Sequence, residues 1–220
     1  MAKRFVYRFN KKNQTCERVM TEFEWAPGLS VSQKQKSIKN LHKAYLEKYP
    51  EDRLLEVSTK STEIMGKALS AFNLIISTKN SNKFSVEQLF QAGKVFKVNG
   101  SQQYLLNKGL DARGLKKIIR EINESDELIA FNLFGNGFPL EPKTFFYNWL
   151  YIQALYQNKN LADEVLKYNA FTDIELNHKK SYNSQAEACS IFTWLINTNQ
   201  LEIALSSKES FKEIVYNKEV

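Results

Sequence analysis

Apolar positions change their period several times along the chain, and each change marks an element. Residues 5–9 and 19–25 are rich in aromatic and β-branched side chains and read as two strands. The polar stretch Asn10-Lys11-Lys12-Asn13-Gln14 between them predicts a hairpin loop, and Ala26-Pro27-Gly28 ends the second strand. Ser32 then opens a helix with Gln35 in the capping-box position. Ile38, Leu41 and Tyr45 recur on its inner side, while its other face carries Lys34, Lys36, Lys39 and Lys43. Residues 54–58 predict a buried strand, and the apolar run 69–76 predicts another, interrupted by Ser70 and Asn73. A third strand, 128–134, stops at Gly135-Asn136-Gly137. Helical spacing covers 85–96, 111–122, 142–157 and 160–168, then a stretch around Cys189, Phe192, Trp194 and Leu195, and a last helix from about Ser207. Helix predominates and the strands do not alternate as repeating βαβ units, which predicts an α+β fold, mostly helical.

The segment 85–96 has the sharpest local signals. Ser85 suits an N-cap, and Gln88 stands where a capping box needs it. On a helix, Val86, Leu89, Phe90, Gly93 and Phe96 share one side, and Glu87, Gln91 and Lys94 fall opposite at i, i+4 and i+7. An acid, an amide and an amine in line are, by themselves, more often a solvated face than a site.

Charge alters the picture at the N-terminus. Of a formal net charge of +7, all resides in residues 1–50, where eleven Lys/Arg face four acids; the remainder is balanced. That placement suits a segment facing a polyanion or, equally, one that only aids solubility. We therefore divide the chain into a basic N-terminal extension, 1–50, packed on a main domain, 51–220. There is no hydrophobic signal sequence at the N-terminus and no apolar run of membrane-spanning length, so a cytoplasmic protein is expected. Cys16 and Cys189 are far apart and read as free thiols. With only His42 and His178 besides, a His/Cys metal site is not expected, while a carboxylate-bound metal stays open.

The chain contains no phosphate-binding glycine loop, no dinucleotide fingerprint and no Gly-x-Ser-x-Gly elbow. What remains are carboxylates, amines and amides: Glu87, Lys94, Asp173, Glu175, Asn73 and Asn183. Such groups suit cleavage of a glycosidic bond. One carboxyl protonates a leaving group, a second stabilises an oxocarbenium-like centre, and a desolvated lysine attacks the aldehyde of a ring-opened sugar.

Six segments in order carry a resemblance: 55–61 (Leu-Glu-Val-Ser-Thr-Lys-Ser), 69–74 (Leu-Ser-Ala-Phe-Asn-Leu), 85–96, 142–151, 171–177 and 180–186. With the N-terminal stretch 23–38 they make the chain similar to the NADAR (YbiA-like) superfamily, in the branch associated with guanine-specific DarT toxins. The resemblance implies a NADAR-like single domain with an N-terminal hairpin and helix. It implies an antitoxin enzyme, an ADP-ribosylglycohydrolase that removes ADP-ribose from guanine in DNA without a cofactor or a metal. By similarity Lys94 engages the ribose, and Glu87 and Asp173 act as acid/base or charge-stabilising groups. Ser70, Phe72, Asn73, Phe90, Gln91 and Asn183 hold the substrate. Charge, not the resemblance, makes Lys34, Lys36, Lys39 and Lys43 the expected DNA contacts. Implied partners are ADP-ribosylated DNA, ADP-ribose and a cognate DarT-type toxin. Residues 97–105, 111–117 and 182–186 depart from the family pattern. Two other readings stay open: a non-catalytic antitoxin gripping the toxin or its DNA, and an N-glycosidase acting on a small ribosylated nucleotide.

Overall fold

The computed structural model describes residues 1–177 and 181–217. The elements follow in the order β1 (Ala2–Asn10), β2 (Thr15–Phe23), α1 (Val31–Leu46), β3 (Leu54–Glu56), α2 (Ile64–Ala68), β4 (Ile75–Ser77), β5 (Lys83–Ser85) and α3 (Val86–Ala92). Next come β6 (Lys94–Phe96), β7 (Gly100–Ser101), a 3-10 turn (Gln103–Lys108), α4 (Ala112–Ser125), β8 (Leu128–Leu133), β9 (Asn136–Phe138) and α5 (Phe145–Gln157). The chain closes with α6 (Lys159–Val165), β10 (Ala170–Thr172), α7 (Gln185–Asn197), α8 (Leu201–Ser206) and α9 (Lys208–Tyr216). Helix exceeds strand by about two to one, 45% against 21%, which bears out the α+β expectation. Among the described residues no helix is long and apolar enough to cross a membrane.

The chain forms two compact units, Met1–Ser70 with Asn158–Val220, and Ala71–Gln157. In the first, a four-stranded sheet has the order β2-β1-β10-β3. β1 is antiparallel to both its neighbours, and β3 runs parallel to β10 so that Glu56 lies beside Thr172. The predicted hairpin is present, with Asn10 paired to Thr15 across the turn. Alternation along β1 sends Val6 toward α1, where it packs with Phe23, Ile38, Leu41, Tyr45 and Ala170. Phe9 pairs with Cys16, and that edge meets α7, whose Ser190 carbonyl accepts from the Cys16 thiol.

The cap of α1 is Ser30, whose hydroxyl accepts from the Gln33 amide, and not the predicted Ser32. Ser32 sits inside the first turn, hydrogen-bonded to Ser30. The predicted strand at 69–76 is also absent as such. Leu69 and Ser70 close the turn after α2, their amides bonded to the Met65 and Lys67 carbonyls, and only Ile75–Ser77 pairs, with β5. A short apolar run does not by itself distinguish a strand from a buried turn. Of the residues singled out in the sequence, His178 and Lys180, the first residue of the 180–186 segment, lie outside the described residues.

In the second unit a sheet of order β7-β6-β8-β9 carries α3, α4 and α5. Ala92, Phe96, Leu105, Leu115 and Ile119 form one part of its core. Phe90, Phe131, Phe138, Phe146 and Tyr147 form another, with ring centroids 4.8 to 6.0 Å apart in successive contacts. β8 ends at Leu133, just ahead of Gly135, and the turn folds the chain back into β9: Phe134 and Gly135 both take positive φ, 51° and 80°, as a tight hairpin requires.

Candidate functional site

The capping box at Ser85 is complete. Its hydroxyl accepts from the Gln88 amide at 3.2 Å, and the Gln88 side-chain oxygen accepts from the Ser85 amide at 2.8 Å. Gln88 also donates to the Leu110 carbonyl at 2.8 Å, which ties this first turn to the segment ahead of α4. With the turn fixed, Glu87 and Gln91 lie one above the other, and Gln91 Nε2 donates to Glu87 Oε1 at 2.9 Å.

The helix is shorter than predicted. It ends at Ala92 with Gly93 as cap, and Lys94 begins β6, paired with Phe131. Gly93 permits this change of direction: a Cβ there would meet Phe146 Cζ at 2.5 Å, and its carbonyl accepts from Asn132 at 2.7 Å. Glu87, Gln91 and Lys94 therefore do not share an outward helical face. Glu87 and Gln91 are buried, each 5% exposed, and Lys94 lies in the field of Glu87 from a strand.

Lys94 Nζ stands 5.3 Å from the centroid of the Phe90 ring. Burial pulls its pKa down from 10.5 to about 8; the Glu87 carboxylate opposes the shift and Lys116 adds to it. An amine so placed has an accessible neutral form near physiological pH, as a nucleophile needs. Lys116 has no place in the sequence-derived set. From α4, whose first turn is capped by Asp111, its ammonium lies 2.9 Å from Glu87 Oε1 and 5.2 Å from the Phe72 centroid. The only sequence signal for it is a lysine on the polar side of a helix, one of several. Gln91 Oε1 is buried with no hydrogen-bond partner among the described residues, an acceptor left open while the same side chain's amide nitrogen is bonded to Glu87.

The other predicted residues are distributed as follows. Phe90 is 8% exposed, largely within the aromatic core, and Phe72 is half-buried. Asn73 is exposed in the turn before β4. Ser70, Asp173 and Asn183 belong to the first unit. Ser70 is buried at the end of the α2 turn. Asp173 accepts from Gln185 Nε2 at 3.0 Å and from the Glu175 amide at 3.1 Å, and burial raises its pKa. Asn183 is half-buried, and its Oδ1 lacks a hydrogen-bond partner among the described residues.

Beside Asp173 in the same unit is a second buried acid, Glu56, which the sequence reading placed only within a strand. Its Oε1 accepts from the Ile174 amide at 2.9 Å and its Oε2 from the Thr172 hydroxyl, which in turn bonds His42 Nε2 at 2.9 Å. Burial first, and the neighbouring Asp173 second, push the Glu56 carboxyl up; burial holds His42 down at about 4.

On α1, Lys36, Lys39 and Lys43 are exposed along one face. Lys34 is not with them. It turns to the inner side and lies over the Trp25 ring at 4.8 Å, a ring also faced by the Arg4 guanidinium at 5.2 Å. The predicted row of four is a row of three.

No curated protein matches the chain. A family model described as DarT1-associated NADAR antitoxin matches residues 2–220. That match spans both units, and it includes every segment on which the resemblance was read. The chain belongs to the DarT1-associated NADAR antitoxin family, and its role is that of an antitoxin functionally linked to a DarT toxin.

Proposed function

We propose that this antitoxin is an enzyme, an ADP-ribosylglycohydrolase that removes ADP-ribose from guanine bases of DNA and so reverses the toxin's modification. The observation that carries the reading is a lysine amine with a lowered pKa, Lys94, placed in the electrostatic field of the buried Glu87 carboxylate. A chain that only gripped its toxin would have no need to withdraw an amine from water beside an acid.

In the proposed reaction the neutral Lys94 amine attacks the anomeric carbon of the ribose. The carbon–nitrogen bond to guanine breaks, and its electron pair stays on the base. Glu87 takes the proton released by the attacking amine and delivers it to the departing base nitrogen. Water then adds to the lysine-bound sugar carbon, returning the amine and freeing ADP-ribose. Gln91 holds Glu87 in place and offers its open Oε1 to a substrate hydroxyl.

The test is release of ADP-ribose from an oligonucleotide bearing ADP-ribosylated guanine. The wild-type protein is expected to release it, and Lys94→Ala to be slower by about 10²–10⁴-fold, the range for a positioned proton-transfer group or better. No release by the wild type, or equal release by the variant, sinks the proposal. Full protection of cells by Lys94→Ala points instead to an antitoxin that acts by binding.

A further inference from the structure

We propose that the outward face of α4 is the surface along which the DNA backbone lies when the modified guanine is engaged. The inference rests on the glycohydrolase reading and deepens it by assigning the polyanion a place. On α4, Arg113, Lys116, Lys117 and Arg120 fall at i, i+3, i+4 and i+7, so they form one row. Leu115 and Ile119 are buried on the other side, with Ile118 and Ile122 packed around them. All four basic residues are exposed.

Two observations separate this row from an ordinary solvated face. First, Arg113, Lys117 and Arg120 make no ion pair among the described residues, although Glu121 and Glu124 are on the same helix. Asp111, nearest in sequence to Arg113, is occupied in capping the helix. The row thus sets four cations on a rigid element, three of them in no ion pair among the described residues and bordered only at its C-terminal end by Glu121 and Glu124, as a phosphate track requires. Second, the row is continuous with the candidate site, because its fourth member, Lys116, is the cation bonded to Glu87. Lys36, Lys39 and Lys43 on α1 are similarly exposed but share no residue with that cluster.

Dimensions agree. Seven residues of α-helix advance about 10 Å, and one DNA strand presents a phosphate roughly every 3.4 Å along a duplex axis. The row therefore faces about three phosphates, one for each unpaired cation. Lys116, held by Glu87, marks where the track meets the reacting nucleotide.

The experiment compares the full-length wild type with Arg113→Gln/Lys117→Gln/Arg120→Gln and with Lys36→Gln/Lys39→Gln/Lys43→Gln. Binding of a fluorescein-labelled oligonucleotide is followed by anisotropy over a salt series, and ADP-ribose release is measured from ADP-ribosylated oligonucleotide and from ADP-ribosyl-guanosine. The α4 variant is expected to bind DNA about tenfold or more weakly at low salt. Its log–log salt slope should fall by roughly 0.7 per lost contact for a single strand. Release from the nucleoside is expected to be unchanged, and Arg113→Lys/Arg120→Lys to bind as wild type. Unaltered DNA binding and slope in the α4 variant overturns the inference, as does a loss seen only in the α1 variant. Failure of the parent reading appears separately, as absence of release from both substrates by the wild type, while anisotropy still judges the α4 face.

Discussion

Glu87 in one unit and the Glu56–Asp173 pair in the other are carboxylates withdrawn from water to similar degrees, at 5%, 2% and 7% exposure. They are satisfied by different means. Glu56 and Asp173 are held mainly by their own strands and neighbours: the Ile174 and Glu175 amides, the Thr172 hydroxyl and the Gln185 side chain. Main-chain amides do not move without moving the fold, so these acids are fixed with the β3–β10 pairing. Glu87 is held by the far ends of two long side chains, Lys116 and Gln91, with Lys94 beside them. Such partners can yield to a ligand without disturbing the backbone. Glu87 can exchange both its partners for a ligand, while Asp173 has one exchangeable partner, the Gln185 side chain, beside its backbone bond.

The comparison is tested most severely at Gly66. A Cβ there would stand 2.0 Å from the Glu56 carbonyl and 2.3 Å from Ser61 Oγ, so Gly66→Ala must displace the strand that carries Glu56. We expect destabilisation of more than about 3 kcal/mol, the range of severe overpacking or backbone strain, read as a collapse of the thermal midpoint. A variant that unfolds like the wild type would mean that the Glu56 region is not the rigid one.

At the other cluster, Lys116→Gln should leave folding intact and change chemistry. Removing a cation beside Lys94 lets the Lys94 pKa rise, since Lys116 is one of the forces lowering it. The fraction of neutral amine at a given pH then falls. The limb of the pH–rate profile that climbs with pH should move to higher pH, with a loss of about tenfold at neutrality per unit moved. Lys116→Arg should keep the wild-type profile. A limb that stays put in Lys116→Gln removes Lys116 from the site.

The smallest effect concerns stability against pH. Glu56 and Asp173 have raised pKa values, so the folded chain retains a proton that unfolded carboxylates have lost. Their contribution is full at low pH and is lost as pH rises through neutrality. His42 acts with the opposite sign: its depressed pKa gives a contribution that is lost as pH falls from 6.5 toward about 4. Between pH 6.5 and about 8 Glu56 therefore dominates. The wild-type midpoint should drift down by a few degrees there, at about 2–4 °C per kcal/mol for a chain of this size. Glu56→Gln should flatten the drift. An unchanged slope would place the retained proton elsewhere.

Much of this was legible residue by residue. The two N-terminal strands with their polar loop, the Ile38-Leu41-Tyr45 stripe and the Ser85–Gln88 capping box are local patterns, and each folds as read. Local patterns failed where a choice depended on something distant. Ser70 and Asn73 sit in a run that looks like a strand, but backbone bonds at the end of α2 consume its first residues. Lys34 joins a lysine row in the sequence, but helix geometry and Trp25 draw it inward. The balanced charge of residues 51–220 concealed the α4 row, because acids spread over the whole segment enter the same count.

The sequence alone determined that Ser85 starts a helix bearing Glu87 and Gln91, since capping and helical period need only neighbours within a turn. It also supplied the ordered motifs by which the family is known. The tertiary structure decided what those residues become. Packing against Phe146 leaves no room for a side chain at Gly93, where the chain leaves the helix, so Lys94 enters a strand paired with β8 and approaches Glu87 from there. Lys116 from α4 completes the cluster, and no periodicity in α3 could name it. Local geometry follows from adjacent residues, whereas the partners that set a buried acid's chemistry come from elements far along the chain.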